Sequence, residues 1–339
     1  MKKFLTILSL LSSGLIPFKT TVGQDVHFSQ FWETPLLRNP ALSGLFQGDI
    51  RIQTIYRDQW NSLTNAYRTG SLNVENKIAV GGGDDFLTVG LQSFFDRAGT
   101  IGWTTTQFLP AINYHKSLSQ TKNRYLSLGA MGGWVQRRFD PTKMTTNTTY
   151  ETGGTGGTGE NIANSSFGYV DGSVGLSYNS QIGELASDNF YLGAAYHHFT
   201  RPTQSFYFRN ANIELNPKWV FSGGMKWSLT DQGFVTILAD HSRQGTFVQT
   251  VAGALYGLRL GPDQEGYNNT IQAGAFMRFQ DAFIPVVKMD IGNVSASFSY
   301  DITISTLTPF NQGRGGFEAG FIYRWFKPNS VPDARCPRF

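Results

Sequence analysis

Val294-Ser295-Ala296-Ser297-Phe298-Ser299-Tyr300-Asp301-Ile302-Thr303-Ile304 places its apolar and polar side chains at alternate positions without one exception. Successive side chains of an extended chain point to opposite faces, so a period of two marks a β-strand. Val294, Ala296, Phe298, Tyr300, Ile302 and Ile304 share one face, while Ser295, Ser297, Ser299, Asp301 and Thr303 share the other. Eleven residues is long for a strand of a soluble domain, where about five or six is usual, and suits a tilted strand that crosses a membrane.

The same pattern recurs outward from this stretch. Phe317, Ala319, Phe321, Tyr323 and Trp325 oppose Glu318, Gly320 and Arg324; Trp219, Phe221, Met225, Trp227 and Leu229 oppose Ser222, Gly224, Lys226 and Ser228. These two apolar faces begin or end in an aromatic, as the interfacial girdles of a membrane barrel require. The pattern predicts fourteen strands, near 49–59, 66–77, 86–97, 102–118, 124–139, 167–182, 189–201, 217–229, 234–245, 246–261, 269–281, 282–292, 294–305 and 316–326. An even number suits an all-β, antiparallel outer-membrane β-barrel with both termini in the periplasm. The longest connections, 141–166 and 202–217, follow the fifth and seventh strands and so both face outward in that topology. Phe206, Tyr207 and Phe208 in the second of them form a candidate surface for an extracellular partner.

The composition agrees. Charged residues make up 15% of the chain and aromatics 14%, with 38 glycines, against a usual charged share of about 25%. Lys2, Lys3 and the apolar run Phe4–Ile16, followed by Thr21-Val22-Gly23, read as a signal peptide over 1–23, cleaved before Gln24. Its removal takes away Lys2, Lys3 and Lys19 and no acid, lowering the formal charge from +4 to +1. That balance offers no electrostatic footprint for nucleic acid. Cys336 is the sole cysteine, so no intrachain disulfide forms. It belongs to a tail, 327–339, with three prolines, expected in the periplasm.

Residues 24–48 do not alternate and carry Pro35, Pro40, Gly44 and Gly48, which argues against a strand. Phe28, Phe31, Trp32, Leu36 and Leu37 nevertheless need burial. The segment is expected to fold into or under the periplasmic mouth as a plug of the barrel over 49–326; a disordered periplasmic lead is the other reading. His27, Phe28, Phe31, Trp32, Asn39, Arg57 and Trp60 are the expected plug and lumen contacts.

Asp25-Val-His-Phe-Ser-Gln-Phe31, Asn39-Pro-Ala-Leu-Ser-Gly44, Gly48-Asp-Ile-Arg51 and Tyr56-Arg-Asp-Gln-Trp60 together resemble the PorP/SprF family of Bacteroidetes. Ala111-Ile-Asn-Tyr-His-Lys-Ser-Leu118, Tyr125-Leu-Ser-Leu-Gly129 and Tyr191-Leu-Gly-Ala-Ala-Tyr-His197 extend the resemblance along the mature chain. It implies an outer-membrane component of the type IX secretion and gliding machinery. Its partners would be the periplasmic ring and a large secreted or surface-anchored, adhesin-like cargo.

Catalysis finds no support in the motifs. The histidines are His27, His115, His197, His198 and His241, and none falls in a metal-binding spacing; no Gly-x-Ser-x-Gly elbow occurs. His197 and His198, neighbours in the seventh strand, would point to opposite faces. No enzyme activity, cofactor or metal is expected. An outer-membrane channel for small, hydrophobic solutes is the alternative function. Lys226, Arg278, Asp301, Glu318 and Arg324 would be inward charges of mixed sign, better suited to pairing across the lumen than to selecting one ion.

Overall fold

A strand that alternates this strictly is stable only where both faces are served, and a sheet in lipid must leave no unpaired edge. The computed structural model, which describes residues 25–59, 67–153, 158, 159, 164–206, 213–261, 269–306 and 308–327, meets both demands by closing the sheet on itself. Its strands are β1 (Ile50–Gln59), β2 (Tyr67–Ala79), β3 (Phe86–Ala98), β4 (Trp103–Ser117), β5 (Arg124–Arg138), β6 (Ser166–Gln181) and β7 (Asn189–His197), then β8 (Lys218–Ser228), β9 (Gly233–Gln244), β10 (Phe247–Arg259), β11 (Thr270–Arg278), β12 (Ala282–Ile291), β13 (Val294–Thr303) and β14 (Arg314–Trp325). Each pairs antiparallel with its sequence neighbours, and β1 closes the ring on β14 from Ile50↔Trp325 to Gln59↔Gly316. The fourteen-strand all-β barrel read from the sequence is thus the observed fold.

Register fixes which face is which. Leu128, Phe108 and Trp325 lie 65%, 52% and 55% exposed on the outside, while Glu75, Gln92 and Asn113 are fully buried inside. That inversion of the soluble pattern is what lipid requires of a barrel wall. No described helix is long and apolar enough to cross a membrane; the crossing is made by strands.

Connections after odd-numbered strands emerge at one end. This long-loop end carries the β5–β6 and β7–β8 connections, and also the two-residue turn Gly245-Thr246 with Gly245 at φ 57°. The opposite, short-turn end includes Gly292-Asn293, with Gly292 at φ 54°. Positive φ is what a two-residue hairpin turn demands, and glycine meets it without strain.

Two expectations need correction. β7 ends at His197 instead of running to 201, because His198 and Arg201 take left-handed backbone (φ 58° and 42°) that no strand continues through. His198 is therefore turned inward, and both histidines are buried with ring centroids 6.2 Å apart. The inner wall is also not uniformly polar. Leu238, Val251, Leu255, Phe276, Ile284 and Val286 form one buried apolar cluster with Phe31, Leu42 and Leu45. Across this patch of β9–β12 the wall is apolar on both faces, as strands covered on both sides are, while Thr236, Gln272, Arg278 and Asp290 keep the rest of the inner face polar.

Candidate functional site

The lumen is the site, and residues 25–48 occupy it. The segment has a 3-10 turn at Phe31–Glu33, one α-helical turn at Pro35–Arg38 and a second 3-10 turn at Pro40–Leu42. The prolines stand at the first position of their turns, where the missing N–H costs nothing. All residues from Phe28 to Phe46 are buried except Trp32 and Leu37, which are half-buried.

At the long-loop end, Asp25 lies against His198. The imidazole Nε2 is 2.7 Å from Asp25 and its Nδ1 is 2.5 Å from Asp171, with Lys218 3.6 Å from Asp25. Burial disfavours the charged imidazole, yet the two carboxylates outweigh it and push His198 up to about 9. Burial likewise opposes ionisation of Asp25, and His198 and Lys218 prevail and hold its carboxyl well below the usual range. His27 follows without a hydrogen-bond partner for Nε2 among the described residues. Burial, aided by the nearby Arg278, Arg57 and Lys218, keeps it neutral. Phe28 packs edge-on to Phe94, centroids 6.4 Å apart.

Next comes a charged clamp. Arg57, 1% exposed, donates to Ser29 Oγ (2.6 Å), to Asp301 (2.9 Å) and to Glu318. Arg278 donates to Ser29 Oγ and to Asp301, both at 2.8 Å. Glu318 accepts the backbone N–H groups of Ser29 (2.6 Å) and Gln30 (2.7 Å). Two cations, two carboxylates and the segment's own backbone form one closed network. Burying four charges is tolerable only when each is paired in this way. Arg278, Asp301 and Glu318 lie on β11, β13 and β14, so three strands and β1 grip the same two residues.

Trp32 stacks on Phe276 (4.3 Å between centroids), and Phe31 meets the same ring edge-on at 5.8 Å. Glu33 accepts from Gln53 and Lys288, each at 2.8 Å. Asn39 caps the following turn through the N–H of Ala41 (2.8 Å) and donates to the carbonyls of Leu176 (3.1 Å) and Ala194 (3.3 Å). The approach is close. A Cβ at Gly175 would stand 1.9 Å from Asn39 Oδ1, one at Gly193 would stand 2.8 Å from Asn39 Nδ2, and one at Gly129 would stand 2.5 Å from the backbone of Pro40 and Ala41. β5, β6 and β7 thus present a glycine floor to Asn39-Pro40-Ala41. Lower still, Asn113 donates to the carbonyls of Ala41 and Ser43, and Gly44 N–H donates to Glu75. Phe46 lies between Arg51 and Lys77 (4.5 and 4.2 Å to its centroid). Gly48 then reaches Trp325 at the short-turn end.

His27, Phe28, Phe31, Trp32, Asn39 and Arg57 therefore share one lumen, while Trp60 lies outside the described residues. The direction of the segment differs from expectation. Asp25 is at the long-loop mouth and Lys327 at the short-turn mouth, so the described ends of the chain lie at opposite ends of the barrel. The ion pairs of Asp25 with His198, just past β7, and with Lys218 of β8 hold the start of the segment at the long-loop mouth. Phe206 is also not a free surface: it is half-buried against Trp103, Phe139 and Phe167 at 5.0, 4.8 and 4.6 Å, at the long-loop ends of β4, β5 and β6. Tyr207, Phe208, the signal peptide and Cys336 lie outside the described residues.

Sequence reasoning gave no lumen contact to Gly129, Gly175, Gly193 or Asp171. Glycine inside a strand pattern was the available signal for the first three. Both ring nitrogens of His115 and His197 are engaged: Ser127, Asn113 and Thr88 surround the one, Ser173 and the Arg38 carbonyl the other. Neither ring contacts a carboxylate, and the serines are buried, so the pairs act as struts of the lumen. Two cavities flank the segment, about 400 Å³ at the long-loop mouth beside Asp25 and His198, and about 170 Å³ at the short-turn mouth beside Trp32 and Lys226.

Residues 20–323 match the family described as type IX secretion system membrane protein PorP/SprF. A comparison with curated proteins gave no match. Among solved structures the chain is similar to the toluene transporter TodX of P. putida (10% identity, 85% of this chain and 93% of that one, TM-score 0.44). It is also similar to the monoaromatic hydrocarbon channel CymD (11%, 90% and 96%, 0.42) and to the translocator domain of the autotransporter NalP of Neisseria meningitidis (9%, 81% and 88%, 0.40).

Proposed function

Because the chain belongs to the PorP/SprF family of type IX secretion system membrane proteins, we propose that this outer-membrane barrel binds a secreted or surface-anchored cargo protein and links it to the periplasmic ring of the apparatus. The occupied lumen is the observation that supports a docking role over a conducting one. A segment held by the Arg57–Asp301–Glu318 network and by the glycine floor is an anchored part of the wall, and it leaves cavities far too small for a polypeptide in transit. In this reading the long-loop end faces outward and receives cargo, and the short-turn end faces the ring. The reading involves no catalytic step.

A small-solute channel is the second reading, favoured by the cavities at the two mouths. Affinity purification of the tagged protein from native outer membranes separates the two. Co-purification of ring components or of one large surface protein is expected. A deletion strain with a normal secreted and surface proteome, but impaired growth on a particular nutrient, would replace the docking role with the channel.

A further inference from the structure

The short-turn cavity has one more positive charge than its neighbours balance. Arg38, Arg51, Lys226, Lys288 and Arg324 line it, with Glu33 and Asp290. Four of the five cations have an acid: Arg38–Asp240 at 3.5 Å, Arg51–Glu75 at 2.7 Å, Lys288–Glu33 at 2.8 Å and Arg324–Asp290 at 3.0 Å. Lys226 has none among the described residues, and its ammonium lies 4.5 Å above the ring of Phe234. Lys226 is half-buried, and a ring face compensates an ammonium only in part. The neighbourhood is also rich in donors. The indole N–H of Trp32 and the Nε of Arg38 have no acceptor among the described residues, and Thr236 stands directly across the strand pair from Lys226.

The rest of the wall is mixed, with an apolar stretch of Leu42, Leu45, Leu238 and Leu255 beside Gln53, Thr270 and Gln272. The volume, about 170 Å³, is near that of cavities of roughly 150 Å³ that admit benzene. One unpaired lining cation beside a partly apolar space of this size suits one negative charge on a small, partly apolar body. A phosphate dianion would leave the leucines of that stretch without a partner. We propose that this cavity is a binding site for a small amphipathic carboxylate, its body about a phenyl ring or a branched four-carbon chain in size and its carboxylate paired with Lys226. The same chemistry is offered by a free carboxylic acid and by the C-terminal residue of a polypeptide that ends in an apolar side chain. The site is independent of the docking role proposed above.

Calorimetric titration of the full-length protein in detergent tests this with benzoate, its neutral analogue benzyl alcohol, acetyl-Gly-Gly-Leu with a free carboxyl group, and the amide of that peptide. Saturable binding of benzoate or of the free-carboxyl peptide is expected. The neutral analogues and the Lys226→Met variant should bind about tenfold more weakly or worse, since removing one partner of a secluded charge pair costs at least that much. Lys226→Arg should retain binding. Benzoate alone would identify a free acid as the source, and the peptide alone a polypeptide terminus. Absence of saturable binding by both acids, or equal affinity of neutral and acidic ligands, would overturn the proposal. So would unchanged affinity in a Lys226→Met barrel that still shows the heat-dependent gel shift of the folded protein.

Discussion

Replacing Arg57 with methionine removes the guanidinium that joins Ser29, Asp301 and Glu318 and keeps much of the side-chain volume. Breaking a buried ion pair from one side typically costs ~3–5 kcal/mol, because the partner charge is left uncompensated. Here Arg278 still reaches Asp301 at 2.8 Å, so only Glu318 loses its cation, and the lower end of that range applies. Glu318 is also the acceptor for the N–H groups of Ser29 and Gln30, so the loss falls on the docking of the segment. The barrel wall keeps its fourteen-strand ladder. Hydrogen exchange read by mass spectrometry on peptides covering 25–33 is the direct assay. An opening equilibrium eased by about 3 kcal/mol speeds exchange there by roughly a hundredfold, with the strands unchanged. Adding Glu318→Gln to Arg57→Met should restore part of the protection, since no unpaired charge then remains. Exchange at Ser29 and Gln30 that rises less than about fivefold in a folded Arg57→Met barrel would refute the clamp as the anchor of the segment.

Gly175→Ala places a methyl group 1.9 Å from Asn39 Oδ1 and should lower stability by about 1–3 kcal/mol, as overpacking does; the midpoint of thermal unfolding followed on gels reads it, with Gly82→Ala, which meets nothing within 4 Å, as the neutral control. The His198 latch predicts a pH window. His198 has a folded pKa of about 9, above its ordinary value of 6.5, so its stabilisation is complete below about pH 6.5 and is lost as pH rises through 9. Asp25 is depressed, so its contribution is present above about pH 4 and is lost as pH falls. Labelling of an Asp25-proximal cysteine, Val26→Cys, should be slowest between those limits once corrected for thiolate fraction, and His198→Gln should abolish the alkaline rise.

The barrel was legible because lipid outside and a lumen inside impose a period of two on every strand, and Val294–Ile304 shows it without interruption. The end of β7 was not. Nothing in Tyr196-His197-His198-Phe199 announces a left-handed residue, and the turn there is held by Asp171 and Asp25, 27 and 173 positions away. That Asn39 and Arg57 would face the lumen could be read from a segment that had apolar side chains to bury and no alternation. Which way the segment runs could not, since only the long-range contacts of its first residue decide it. Phe206 looked like a free surface because a loop's path leaves no periodic trace. The apolar patch of the inner wall was hidden for a related reason: β9–β12 alternate less clearly because Phe31, Leu42 and Leu45 cover them from within.

The segment in the lumen also changes the parity of the chain. Fourteen strands alone return a polypeptide to the side on which it began. The passage from Asp25 to Gly48 adds a crossing through the middle, so the described chain spans the barrel an odd number of times and its ends part company. Asp25 stands on the side of the long loops and Lys327 on the other.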